Sequence, residues 1–243
     1  MFAISITMSY TIAVTGNESV LATYLNPPLR LDSKGYYEIA LLNFETFYSI
    51  PNVDQSNNKF HYISNEELKV IDIPHGTYEI ADINEYIKDK LELDESVFFI
   101  RPNNNTMKAE IKCPFAVDFS KECSVGSLLG FDESTIIPAN QLSDSDFLVN
   151  IFKVSIIRIE CSIATGSFID GKSGHSIYEF FPSVPPGYHI SQEPSNPIYL
   201  PIVDTNFIDQ ITLRIVDQND QLINFRNEDI SIRLHIRRNG NRL

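Results

Sequence analysis

Apolar and polar residues alternate along much of this chain, and that period of two is typical of β-strands with one buried face. The alternation is clearest in five stretches, at residues 4–14, 107–113, 157–163, 211–215 and 230–236. Strands buried on both faces would instead show continuous apolar runs. The pattern therefore predicts an all-β protein, built as an antiparallel β-sandwich.

One segment departs from this alternation and predicts a helix. A capping-box pattern begins at Asp82, and apolar residues then recur at a spacing of four from Ile83 to Leu91. A shorter helical turn is expected near residues 124–129. Because no repeat or long linker divides the chain, we expect one domain over residues 1–243. We expect a single jelly roll with one or two short helices and a short basic C-terminal tail.

Composition supports a packed core, since 43% of the residues are hydrophobic and 11% are aromatic. No apolar run approaches the roughly 20 residues that a membrane-spanning helix needs, so we expect no membrane span. The first residues lack the basic and apolar regions of a signal peptide, which predicts a reducing compartment. In that setting Cys113, Cys123 and Cys161 are expected to be buried, small, apolar side chains.

The charge balance argues against nucleic-acid binding. The chain has 19 Lys and Arg against 32 Asp and Glu, a net charge of −13, whereas binding to phosphate needs clustered basic residues. The last 18 residues are the exception, with five arginines against two acidic residues. We interpret Arg237, Arg238 and Arg242 as part of a solvated strand face and tail.

Residues 166–173 match the phosphate-binding loop pattern G-x-x-x-x-G-K-[ST]. That motif requires a helix to begin at Lys172, and Gly174 and the prolines that follow do not allow one. We therefore predict a hairpin with its turn at Asp170-Gly171. The five histidines, expected at the surface or in turns, form no metal-binding pair, and no nucleophile motif occurs. We expect no cofactor and no enzymatic activity.

Three stretches carry a resemblance to a known family. The stretch CPFAVDFSKECSVGSLLGFDE (113–133) resembles a segment of adenovirus penton base proteins, with V-D-F at 117–119 and L-L-G at 128–130. Residues 176–190 and 211–238 resemble the C-terminal half of penton-type minor capsid proteins from polinton elements and related double-stranded DNA viruses. For residues 211–238 the resemblance implies two strands joined by an Asp-Gln-Asn-Asp turn, which together form the final hairpin of the jelly roll.

The resemblance implies a jelly-roll subunit that assembles as a homopentamer at the icosahedral vertices of a capsid, beside a neighbouring major capsid protein. It also implies a virion location, after synthesis in the host cytoplasm or nucleus without a signal peptide. A fibre or receptor is a further partner that the resemblance leaves open. No Arg-Gly-Asp sequence occurs, so integrin binding is not carried over.

A fivefold ring needs a heterologous interface, and obligate interfaces of that kind are large and apolar. The interface candidates are aromatic and proline side chains in one loop region: Tyr178, Phe180, Phe181, Pro185, Pro186 and Tyr188. An equally open alternative is that they cap the end of the subunit's own barrel. The three C-terminal arginines would face the particle interior or an acidic neighbour. Five copies carry a charge of about −65, so assembly should depend on salt.

Two other classes of protein stay open. A jelly-roll receptor ligand of the tumour-necrosis-factor or C1q kind would be a trimer, although it normally has a signal or anchor segment. A β-sandwich enzyme or carbohydrate-binding module is the other class. Carbohydrate-binding modules usually expose Trp, which this chain lacks, but its 11 Tyr keep that alternative open.

Overall fold

A computed structural model describes residues 9–32, 35–203 and 206–241. It divides the chain into two compact units, one formed by Met1–Ile50 with Val154–Leu243 and one formed by Pro51–Lys153. We call them the jelly-roll unit and the insertion unit.

The described residues form eighteen strands and two helices. In chain order the strands are β1 (Ser9–Gly16), β2 (Val20–Arg30), β3 (Gly35–Phe47), β4 (Lys59–Ser64), β5 (Glu67–Asp72), β6 (Phe99–Asn103), β7 (Lys108–Lys112), β8 (Ala116–Asp118), β9 (Ile136–Ile137), β10 (Leu142–Asp144), β11 (Ile157–Cys161), β12 (Ser167–Ile169), β13 (Lys172–Gly174), β14 (Ser176–Phe180), β15 (His189–Gln192), β16 (Leu200–Pro201), β17 (Phe207–Val216) and β18 (Ile230–Asn241). The helices are α1 (Ile80–Leu91) and α2 (Gly126–Leu129).

The jelly-roll unit is an antiparallel β-sandwich. One sheet has the strand order β1-β18-β3-β15, with β16 also paired to β3, and the other has the order β14-β11-β17-β2. All of these ladders are antiparallel. With its eight main strands wired in this order, the unit has the connectivity of a jelly roll, which confirms the predicted fold class.

Alternating side chains from both sheets fill the core of this unit. In β18, Ile230, Ile232, Leu234 and Ile236 are all buried, as the period of two predicts. The ring of Phe44 packs against the ring of Phe180, with 5.4 Å between their centroids. The first alternating stretch is described only from Ser9 onward, where β1 pairs with β18; residues 4–8 lie outside the described residues.

The expected final hairpin is wrong. β17 pairs with β11 and β2 in one sheet, whereas β18 pairs with β1 and β3 in the other. The turn that begins at Asp217 is local, since the amide of Asp217 donates to the carbonyl of Gln221 at 2.8 Å. Because β17 and β18 lie in different sheets, the connection that follows this turn carries the chain from one sheet to the other.

The insertion unit has its own sheets and its own core. Its sheets have the orders β5-β4-β8-β9 and β10-β7-β6. Phe60 is fully buried at the centre, 6.2 Å from the ring of Phe98 and 6.3 Å from the ring of Phe119. Neither helix in the described part of the chain has the length and apolar character of a membrane-spanning segment.

Both predicted helices form, but α1 begins earlier than the capping pattern at Asp82 indicates. Its N-cap is Glu79, whose amide donates to Oδ2 of Asp82 at 2.8 Å. Asp82 is therefore the third helical residue. The earlier start places Ile80 on the same buried face as Ile83 and Ile87.

The structure bears on two expectations about organisation. It has two compact units with separate cores, and one domain over residues 1–243 stays a prediction. Both units use short alternating strands, so no change in pattern marks the boundary. The expected basic tail is also a paired strand as far as it is described, because β18 extends along β3 until Asn241 lies opposite Gly35.

The hairpin predicted at residues 166–173 is confirmed. Strands β12 and β13 pair across a two-residue turn, with Ile169 opposite Lys172. Asp170 and Gly171 have φ values of 49° and 77°, and two positive φ values are what a type I′ hairpin turn requires. The segment therefore has strand geometry, not the geometry of a phosphate-binding loop.

Candidate functional site

Two of the six interface candidates support the fold of their own chain. Phe180 is buried in the core of the jelly-roll unit against Phe44. Tyr178 is half-buried, and its hydroxyl accepts a hydrogen bond from Nε2 of Gln192 at 3.0 Å. A role for these two residues at an interface between subunits stays a prediction.

The other candidates lie in the loop between β14 and β15. Phe181 is 69% exposed and Tyr188 is 64% exposed, with Pro185 exposed and Pro186 half-buried between them. The loop backbone is fastened to the end of β3, because the amide of Tyr48 donates to the carbonyl of Tyr188 at 2.8 Å. An anchored backbone thus presents two aromatic rings to solvent. Their role at an interface stays a prediction.

A groove of about 600 Å³ follows the outer side of β14. Its apolar part includes Phe168 from the β12–β13 hairpin, which is 71% exposed, together with the exposed Ile198. Its polar wall contains Arg158 and Glu179, in which Nε of the buried arginine donates to Oε2 of the exposed glutamate at 3.2 Å. The groove therefore combines open apolar surface with an ion pair already formed within the chain.

The C-terminal arginines contact their own chain where they are described. Arg237 forms an ion pair with Glu38 at 3.2 Å, and its guanidinium lies 3.4 Å from the ring centroid of Tyr199. Arg238 forms an ion pair with Asp32 at 3.2 Å. Arg242 lies outside the described residues. Contact between these arginines and the particle interior or an acidic neighbour stays a prediction.

The predicted burial of the cysteines is confirmed in part, and the predicted exposure of the histidines is wrong for one of them. Burial raises the pKa of Cys113 and of Cys161 to about 11, as expected of small side chains in a core, whereas Cys123 is only half-buried. His61 is buried, against the expectation of a surface residue, with Nε2 at 3.2 Å from the carbonyl of Glu122. Within the described residues no cluster of three His, Cys, Asp or Glu could hold a metal ion.

Sequence reasoning missed the exposed aromatic residues of the second sheet. Tyr24 on β2 is 76% exposed and lies opposite Gln210 of β17, while Phe207 at the start of β17 is also exposed. An aromatic residue at a polar position of an alternating strand could have indicated such a surface. In β2 that signal is the sequence Leu21-Ala22-Thr23-Tyr24, in which Leu21 points into the core.

Comparison with known proteins shows a likeness in structure. No family model matches the chain, and no curated protein matches it. Among solved structures, the crystal structure of the mavirus penton protein is similar, with a TM-score of 0.51 and 14% sequence identity. The match covers 96% of this chain and 100% of that one. Identity at this level shows the fold alone, and the chain accordingly has a penton-like capsid fold.

Proposed function

We propose that this protein is a structural, non-enzymatic minor capsid protein. Five copies form the vertex of an icosahedral capsid, in a virus or virus-derived element of the polinton and adenovirus type. The observation that carries the proposal is the likeness to the mavirus penton protein, which extends over 96% of this chain and includes residues of both units.

The surface of the jelly-roll unit supports assembly. Phe181, Tyr188, Tyr24, Phe168 and Ile198 are large apolar side chains that the isolated chain leaves exposed. Extensive exposed apolar surface is typical of proteins that bind another protein. The partners that we propose are other copies of this chain and the neighbouring major capsid protein, with a fibre or receptor as a further class.

Native mass spectrometry of the purified protein over a range of salt concentrations tests this function. A subunit of 27.6 kDa gives a pentamer of about 138 kDa, and electron microscopy should then show rings. Added salt should raise the pentamer yield, because it screens the repulsion between subunits that each carry a charge of −13. A stable trimer would favour the receptor-ligand class, and a monomer at every salt concentration would contradict the proposal.

A further inference from the structure

The sandwich of the jelly-roll unit has two lateral sides, and each side is formed by strands at the edges of the two sheets. On one side the edge strands among the described residues are β1 and β2, which contact each other across the sandwich. On the other side lies β14, the edge of its sheet in the described part of the chain, and Tyr178 of β14 accepts a hydrogen bond from Gln192 of β15 in the opposite sheet. We call these the β1–β2 side and the β14 side.

The β1–β2 side carries almost no charge. The 8 residues of β1 and the 11 residues of β2 include a single charged side chain, Arg30, although 21% of the whole chain is charged. Exposed edge strands normally carry charges that prevent association with other chains. The exposed side chains of Val20 and Tyr24 add apolar surface to this edge. These are the features of a sheet edge that another protein covers.

The type of contact follows from the prolines of β2. Pro27 and Pro28 lack amide hydrogens, so this part of β2 cannot pair continuously with a further strand. Contact between side chains is therefore the available mode of association. Tyr24 is the largest exposed side chain on the strand and the natural centre of such a contact.

The β14 side offers a complementary surface. Its groove exposes Phe168 and Ile198, and it also contains the carboxylates of Asp170 and Glu179 against the single guanidinium of Arg158. The charged residues that line it thus sum to −1. The opposite side carries Arg30 in β2 and the exposed Glu18 in the turn between β1 and β2, so it is close to neutral. In a chain that is acidic overall, a side that is close to neutral meets the acidic groove of another copy with little repulsion.

We propose that the β1–β2 side of one copy packs against the β14 groove of the next copy, with Tyr24 entering the groove beside Phe168. The contact is heterologous, because it joins two different surfaces of the same chain, and its repetition around an axis closes a ring. The inference rests on the proposed function, since it assigns the surfaces through which the copies of the pentamer meet.

Two single substitutions and their mixture test this assignment. In Tyr24→Lys the β1–β2 side is blocked, and in Phe168→Lys the β14 side is blocked. Both residues are more than two thirds exposed, so the fold should persist, which circular dichroism can verify. Each variant alone should lose about tenfold or more of its pentamer, as when a charge replaces an aromatic residue at an interface centre. Leu222→Lys, at a residue that is 52% exposed in the β17–β18 connection, is the matched control and should remain pentameric.

The mixture distinguishes a contact between the two sides from general damage. Each variant keeps one intact side, so equal amounts should form a dimer of about 55 kDa that cannot extend further. Variants that remain pentameric, or a mixture that stays monomeric or forms closed pentamers, would overturn the assignment and leave the proposed function standing. A wild-type protein that forms no pentamer would overturn both.

Discussion

The two units of this chain use the same strand pattern but differ in charge. The insertion unit has 18 acidic and 9 basic residues, a net charge of −9 over 103 residues. The jelly-roll unit has 14 acidic and 10 basic residues, a net charge of −4 over 140 residues. Surfaces of like charge repel each other, so the less charged unit is the better suited to self-association. We therefore expect the jelly-roll unit to supply the contacts between copies.

The units also differ in the interactions that hold the ends of their chain segments in place. In the jelly-roll unit β18 lies between two long partners, β1 and β3. In the insertion unit, polar side chains close the ends: Nδ2 of Asn52 donates to the carbonyl of Ile151 at 2.9 Å, and Asp54 pairs with Lys153. A unit with its two ends fastened together can be inserted between two strands of another fold, as here between β3 and β11.

The largest expected effect comes from the core of the insertion unit. Phe60→Ala should lower the free energy of unfolding of that unit by about 3–5 kcal/mol, because it leaves a cavity between Phe98 and Phe119. Hydrogen exchange should accelerate at amides of residues 51–153 and change little at those of the jelly-roll unit. Phe44→Ala, in the other core, is the reciprocal control. Equal acceleration in both units for both variants would contradict the separation of the cores.

Two neighbouring phenylalanines sharpen the contrast between core and surface within the jelly-roll unit. Phe180→Ala should destabilise the protein by about 3 kcal/mol, since its ring is buried against Phe44. Phe181→Ala should change stability by less than about 0.5 kcal/mol, because its ring is exposed. Chemical denaturation of both variants measures the difference. Similar losses of stability would show that the loop packs on its own chain.

Removing the polar closure of the insertion unit should have an intermediate effect. The buried side chain of Asn52 accepts from the amide of Tyr78 at 2.9 Å and donates to the carbonyls of Tyr78 and Ile151. Asn52→Ala would leave these groups unpaired and cost about 2 kcal/mol in unfolding free energy. Faster hydrogen exchange at Tyr78 would locate the loss. An unchanged denaturation midpoint would show that the closure contributes nothing.

The smallest expected effect is a pH dependence at the same closure. Burial alone would raise the pKa of Asp54, but hydrogen bonds from Lys153 and Ser56 outweigh it and lower the pKa to about 2. The carboxylate therefore stabilises the folded state above its unfolded pKa of about 3.9, and this contribution is lost as the pH falls towards 2. Solvent screening limits it to about 1 kcal/mol. Asp54→Asn should flatten the pH dependence of unfolding between pH 2 and 4, and an identical profile would contradict the assignment.

Local patterns in the sequence predicted the strands and helices better than they predicted the residues at which these elements begin and end. The alternation located β7, β11 and β18 and the buried faces within them, because the side chains of a strand point to opposite faces whatever its partners are. The start of α1 was three residues out. Glu79 and Asp82 each stand three residues before an acidic side chain, and the packing of Ile80 in the core decides between the two patterns.

The candidate interface was less predictable, because exposure depends on residues distant in sequence. Phe180 and Phe181 are adjacent and chemically identical, yet only the first faces the core. The groove beside β14 gathers residues from the β12–β13 hairpin, from β14 and from the connection before β16. No spacing along the chain indicates that these segments meet.

By itself the sequence determined that this protein is an antiparallel all-β structure with two short helices, because periodicity and capping are local properties of the chain. Only the tertiary structure decided that the core is divided between two units, that β17 and β18 lie in different sheets, and that a groove opens beside β14. The physical reason is that alternation specifies which face of a strand is buried. The choice of the neighbouring strand depends on side chains brought together from distant parts of the sequence.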